Sequence, residues 1–218
     1  MIEIIHKEEN FVVCKKPVGV QSQKSEGKNM IELLAETLGM EETNVYPIHR
    51  LDNLVGGTMV YATTKSGAKE LSRIVSENRM QKTYLAVIHG EPEKEKDILK
   101  DLLFKDSSKN KTFAVKRMRK GVKEASLEYE VINTTENNGQ KLTLLKILLH
   151  TGRTHQIRVQ FSSRKMPLVG DRRYGSGKDG CNVALFSSSL KFENPFTKEY
   201  ESYLCEPDWN EFPWKLFK

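Results

Sequence analysis

Two short stretches of the 218-residue chain gather side chains that could do chemistry. The first is Pro47-Ile48-His49-Arg50-Leu51-Asp52-Asn53-Leu54-Val55-Gly56-Gly57. It sets a carboxylate between a His-Arg pair and a glycine pair. An aspartate is ionised at neutral pH and can serve as nucleophile or base. Glycines let the backbone turn sharply or let a ligand come close. Taken alone, these residues also fit a plain polar turn, with Asp52 capping it and Arg50 solvated. The second stretch is Leu149-His150-Thr151-Gly152-Arg153-Thr154-His155-Gln156-Ile157-Arg158-Val159. It concentrates arginines, histidines and threonines around an expected helix start, a natural seat for a phosphate or carboxylate. A capped helix with a polar face would use the same residues.

Other chemistries find little support. The sequence has no GxxxxGK[ST] or GxGxxG loop and no GxSxG elbow. His6, His49, His89, His150 and His155 show no HExxH spacing, and Cys14, Cys181 and Cys205 form no CxxC pair. The reading is therefore no metal, no nucleotide cofactor and three reduced thiols in a cytoplasmic protein. No basic-then-apolar leader opens the chain, and no apolar run approaches the ~20 residues that a membrane helix needs. Lys and Arg number 35 against 29 Asp and Glu, a net charge of +6 that suits a polyanionic partner without requiring one.

The elements that must carry these stretches are mixed. Ile2–Ile5 and Phe11–Lys15 read as strands. Asn29 caps a helix to about Leu38, with Gly39 at its stop. Thr58–Ala62 reads as a strand after the glycine pair, and Lys65 to about Glu77 as an amphipathic helix. Thr83–Ile88 is rich in β-branched and aromatic residues and reads as a buried strand. Glu91–Lys100 is expected to be a charged hinge or loop. Residues 125–149 alternate like a hairpin turned at Asn137-Asn138-Gly139. A short helix is expected from about Thr154 to Arg164, a loop over Gly170–Gly180, and a last strand over Ala184–Phe192. The tail aromatics Trp209, Phe212, Trp214 and Phe217 are expected to pack down. No linker or repeat shows, so one domain over 1–218 is expected. With more strand than helix, the fold class is α+β with a largely antiparallel sheet.

Five elements stand in order between residues 16 and 175: Lys16-Pro17-Val18-Gly19, His49-Arg50-Leu51-Asp52, Lys82-Thr83-Tyr84-Leu85-Ala86, Gly152-Arg153-Thr154-His155-Gln156-Ile157-Arg158 and Gly170-Asp171-Arg172-Arg173-Tyr174-Gly175. Together they make the chain resemble the RluA-type pseudouridine synthases, whose KPxG, HRLD, KxYxA, GRTHQIR and GDxxYG elements they match. One HRLD would mean little, but all five in order are specific. The resemblance implies the pseudouridine synthase catalytic fold, a mixed and largely antiparallel sheet flanked by helices.

It also implies a reaction. The N1–C1′ bond of a uridine in RNA breaks, the uracil rotates, and it rejoins through C5. The product is an isomer, so no cofactor is consumed. By the same resemblance Asp52 either attacks C1′ or takes a proton from C2′, Arg158 pairs with Asp52, and Tyr84 stacks on the uracil or helps remove the C5 proton. A stacked uridine must first be extruded. His49 and Arg50 are placed to fill the gap or hold the flipped nucleotide, with a hydrogen-bonded structural role as the alternative for His49. Leu51, Arg153, His155 and Gln156 join them as expected RNA contacts, Arg153 at the backbone or a phosphate. The partner implied is RNA, ribosomal or transfer, met by a monomer. The basic runs Lys105–Lys111 and Lys116–Lys120 could follow the RNA backbone or be solvated loops. One departure stands out: Val55-Gly56-Gly57 occupies the place where members often carry Thr-Ser-Gly, so the loop is expected to grip RNA differently. A catalytically silent RNA-binding protein with the same fold is the competing reading.

Overall fold

The structure, a computed structural model, describes residues 2–175 and 177–218. The chain divides into two compact units. Neither is continuous in sequence, so no linker composition marks the division. The first unit takes the chain up to Lys82 and Phe186–Pro207; the second takes Thr83–Leu185 and Asp208–Lys218.

In the first unit, β1 (Ile4–Lys7), β2 (Phe11–Lys16), β4 (Gly56–Ala62) and β10 (Leu185–Glu193) lie side by side in that order. The short β3 (Tyr46–Pro47) pairs with β4, and β11 (Tyr200–Leu204) pairs with β10. The β4–β10 pair is parallel and the others are antiparallel, which makes the sheet mixed. Two α-helices lie here among the described residues. In α1 (Met30–Leu38) the Asn29 side chain accepts the Glu32 N–H, and Gly39 closes the helix in the left-handed conformation. In α2 (Lys65–Ser76) Thr64 caps the start and Leu71 and Ile74 turn inward. Phe11, Val13, Val60, Leu71, Ile74, Leu190 and Phe192 form one buried cluster. Strand alternation and helix periodicity thus meet on a common apolar face.

The second unit orders its strands β5 (Gln81–His89), β9 (Gln140–Leu149), β8 (Val122–Asn137), β6 (Lys96–Asp106) and β7 (Lys111–Val115). The hairpin turns where the sequence says it should. Asn138 (φ 52°) and Gly139 (φ 75°) both take the left-handed conformation that a two-residue turn between twisted strands requires. The charged segment expected as a hinge or loop is loop up to Glu95 and strand from Lys96 on, where β6 pairs with β8. Lys96 sits opposite Glu130 of β8, at 2.6 Å, while Leu99 turns into the core. The helix α3 runs only from Gln156 to Ser162, shorter than the expected 154–164. At the C-terminus Trp214 is buried and meets Trp209 edge-on at 6.3 Å.

Candidate active site

The carboxylate Asp52 sits in a turn of the first unit, just ahead of β4; Val55 N–H donates to its backbone carbonyl at 2.9 Å. The turn is fastened from two directions. Lys16, at the end of β2 and fully buried, donates from Nζ to the carbonyls of Pro17 (2.9 Å), Val20 (2.7 Å) and Asn53 (3.1 Å). An ammonium has three N–H donors, and three carbonyls take them. Burial pushes the Lys16 pKa down to about 8, with the Asp52 charge acting in the opposite direction. From the other side, the Ser22 hydroxyl accepts the Leu51 N–H (3.0 Å) and donates to the Leu51 carbonyl (2.8 Å). Tyr61 on β4 holds Ser22 in turn, donating to its carbonyl at 2.8 Å. Neither Lys16 nor Ser22 stands out as a site residue in the sequence. Lys16 is legible only as part of the KPxG element, and Ser22 carries no signal.

The neighbours of Asp52 take different places. Arg50 is exposed. Leu51, expected among the RNA contacts, is buried, and what its backbone binds is Ser22. His49 accepts the Val60 N–H through Nε2 at 3.2 Å, which puts the ring proton on Nδ1, sealed from solvent. Burial, aided by the charge of Lys82, pushes its pKa down to about 3. His49 is therefore a neutral ring holding β4, the structural alternative stated for it above. The Val55-Gly56-Gly57 departure also changes meaning. Val55 and both glycines are buried. Gly57 lies at φ +121°, and a Cβ there would come 2.2 Å from the Ser187 carbonyl oxygen of β10. These residues serve the close approach of two strands rather than a surface that grips a ligand.

The second unit holds the remaining expected residues. Tyr84 is buried on β5. Arg158 is buried on α3, and its Nε and Nη2 each donate at 2.8 Å to the two oxygens of Asp171, a fully buried carboxylate. Asp171 Oδ1 also accepts the backbone N–H groups of Arg173 (2.9 Å) and Tyr174 (3.0 Å). Burial alone would raise the Asp171 pKa. The Arg158 hydrogen bonds and charge, with the two backbone donors, outweigh it and hold the carboxyl below its usual range. The guanidinium also lies over the Tyr174 ring, 5.2 Å from its centre. Asp171 and Tyr174 come from the GDxxYG element, to which the sequence reading gives no role. A side-on pairing fixes the guanidinium plane.

The run before α3 is not a helical first turn, and the helix begins at Gln156. His155 occupies the left-handed region at φ 53° and provides no side-chain cap. Its Nδ1 lies 2.8 Å from the Tyr174 hydroxyl. Arg153 lies outside the helix and its Nε donates to the Glu124 carbonyl on β8 at 2.9 Å. Gln156, expected to touch RNA, is buried. Its amide accepts from Thr151 Oγ1 and Arg153 N–H and donates to the Ser126 carbonyl, clipping the loop to β8.

One group among the described residues has spacing suited to a metal ion: His6, Glu8 and Glu201 on the β1 and β11 side of the first unit. Its carboxylates already accept from Asn194 at 2.9 Å, and Glu201 also accepts from the Tyr203 hydroxyl. Among the described residues no helix is long and apolar enough to cross a membrane.

A family model described as RNA pseudouridylate synthase matches residues 10–163. An uncharacterised RNA pseudouridine synthase of Haemophilus influenzae is 29% identical over 213 residues, covering 97% of this chain and 90% of that protein. A tRNA pseudouridine synthase C of Vibrio parahaemolyticus is 30% identical over 222 residues, covering 91% of this chain and 87% of that protein. Among solved structures, the human RNA pseudouridylate synthase domain containing 1 superposes with a TM-score of 0.77 at 24% identity, covering 96% of this chain and 84% of that one. At that identity the likeness speaks for the fold, and it agrees with the α+β class and mixed sheet described above.

Proposed function

The chain belongs to the RNA pseudouridylate synthase family, of RluA type, and isomerises uridine in RNA to pseudouridine; on that premise we propose that Asp52 is the carboxylate acting at the ribose and that transfer RNA is its substrate. What supports Asp52 is how firmly its turn is held: a buried ammonium and a buried hydroxyl bind the backbone on either side of it. A carboxylate that attacks or deprotonates a sugar carbon must keep its place to a fraction of an ångström. A turn fastened only by its own hydrogen bond would not do so.

Arg158 is the cation assigned to orient that carboxylate, and Tyr84 the ring assigned to the uracil. Support for Arg158 comes from its own fastening: Asp171 locks the plane of the guanidinium, as a positioning cation requires. Arg50 is assigned to the flipped nucleotide, in keeping with its exposure. Arg153 and His155 are assigned to the RNA backbone. Both units together serve as one catalytic domain, acting as a monomer in the cytoplasm. Transfer RNA is preferred to ribosomal RNA because of the likeness to a tRNA pseudouridine synthase over nine-tenths of the chain.

The test uses the purified full chain with unmodified tRNA transcripts, with ribosomal RNA fragments as the second arm, and detects pseudouridine by chemical labelling. Conversion in tRNA, lost in Asp52→Asn with RNA affinity kept, is the expected result. Conversion confined to ribosomal RNA would overturn the substrate, and full activity in Asp52→Ala would overturn the role of the carboxylate.

A further inference from the structure

The chain's whole charge surplus sits in one place. Between Lys105 and Lys120 there are seven Lys and Arg side chains and a single acid, Asp106. That surplus of six equals the net charge of the entire protein, so the remaining residues are electrically balanced. The structure lays this segment over the β6–β7 hairpin and the loop that follows it. β7 ends the strand order of the second unit, and every cation of the segment except Lys111 is exposed. Rings are interleaved with the cations. Arg119 lies 5.0 Å over Phe104, and Lys111 lies 5.7 Å over Phe113, itself 37% exposed. Lysines on an edge strand can simply discourage pairing with other strands. That purpose calls neither for the chain's entire surplus nor for an exposed ring among the cations. Cations with interleaved rings are what a nucleic-acid backbone and its bases favour.

The same hairpin is tied to Arg158. Arg173 donates to the Asn110 carbonyl at the hairpin turn, and the Thr112 N–H of β7 donates to the Tyr174 hydroxyl at 2.8 Å. The Tyr174 ring carries Lys111 at 5.2 Å and the Arg158 guanidinium at 5.2 Å. Asp171, three residues earlier, holds Arg158 through two hydrogen bonds. A shift of the hairpin must therefore move the groups that fix the arginine.

We propose that the β6–β7 hairpin, with the loop to Lys120, is the seat of the RNA phosphate backbone, and that Tyr174 is a positioning residue that links this seat to Arg158. The proposal rests on the reading of the chain as a synthase acting on RNA. It goes further by naming where phosphates are held and how their binding reaches the active arginine.

Binding and conversion are measured on the full chain, with a labelled RNA hairpin oligonucleotide for the first and a tRNA transcript for the second. Lys105, Lys109, Lys116 and Lys120 are replaced together by Gln. Each phosphate contact contributes about 0.7–0.9 to the slope of log affinity against log salt, so four lost contacts flatten it by roughly 3. The matching Lys→Arg quadruple keeps the slope. At saturating tRNA, single-turnover conversion falls severalfold in the Gln quadruple and in Tyr174→Phe. Combined, the two fall by less than the product of their separate effects. An unchanged slope, with or without new aggregation, overturns the seat. Fully multiplicative effects overturn the link. If the native chain binds with the steep slope yet forms no pseudouridine in any RNA supplied, the seat stands while the synthase reading and the link both fail.

Discussion

Replacing Asp171 by Asn tests how Arg158 is held. The change keeps the shape of the side chain and removes its charge. Asn can keep one oxygen for the Arg173 and Tyr174 N–H groups and for Arg158 Nη2. Its amide nitrogen then faces Arg158 Nε, a donor against a donor where a 2.8 Å hydrogen bond stood. The guanidinium remains buried with the charge of Asp171 gone. Breaking one side of a buried ion pair in this way costs about 3–5 kcal/mol. For a chain of this size, roughly 2–4 °C of melting temperature per kcal/mol makes the expected loss about 6–20 °C. Thermal unfolding followed by circular dichroism reads it directly.

The pH dependence carries the sign of the effect. The Asp171 carboxyl has its pKa lowered in the folded chain. Its contribution is therefore complete above the ordinary carboxylate value of about 3.9 and fades as pH falls below it. The gap in stability between the native chain and Asp171→Asn should be widest near neutrality and shrink in acid. Replacing both partners, Arg158→Met with Asp171→Leu, should recover most of the lost stability, since two apolar groups leave no buried charge behind. It should not recover pseudouridine formation. A loss below about 1 kcal/mol in Asp171→Asn, the range of an exposed pair, would refute the reasoning.

Three further outcomes are expected. In Lys16→Met three carbonyls lose their donor, which should cost at least ~2 kcal/mol in urea unfolding and abolish conversion. Because burial lowers the Lys16 pKa from 10.5 to about 8, the folded chain gives up that proton before the unfolded chain does. The stability of the native protein relative to Lys16→Met should therefore rise from about pH 8 to about pH 10.5 and stay flat below 8. In Gly57→Ala the new Cβ would meet the Ser187 carbonyl oxygen at 2.2 Å, and a destabilisation of about 2–4 kcal/mol is expected from overpacking and backbone strain; an unchanged melting temperature would count against the close β4–β10 approach. In Ser22→Ala the Leu51 N–H and carbonyl lose their shared partner, so the turnover number should fall while RNA affinity, measured separately, holds. A fall in affinity alone would show that Ser22 acts on RNA and not on the Asp52 turn.

Much of the architecture was legible because it is local. Asn29 and Gly39 bracket α1 by capping chemistry, and Asn138-Gly139 turns the β8–β9 hairpin by its tolerance of positive φ. Each of these depends on residues a few positions apart. The same reasoning held for the first half of Glu91–Lys100 and missed the strand from Lys96 on, because Lys96 meets Glu130 on a strand about thirty residues away. It also placed a helical turn at Thr154, where the left-handed His155 delays the helix to Gln156.

The sequence by itself determined the family through five ordered elements, and these same elements carry Asp52, Tyr84 and Arg158, the groups proposed for the chemistry. Tertiary structure alone decided what holds them. Ser22 reaches Leu51 across 29 positions, Lys16 reaches Asn53 across 37, and Tyr174 reaches Thr112 across 62. It also decided which expected contacts turn inward, as His49, Leu51 and Gln156 do. The physical reason is the same throughout. A hydrogen bond to a buried group is set by what the folded chain brings within 3 Å and strips of water, and neither separation nor solvation is written in the spacing of residues along the chain.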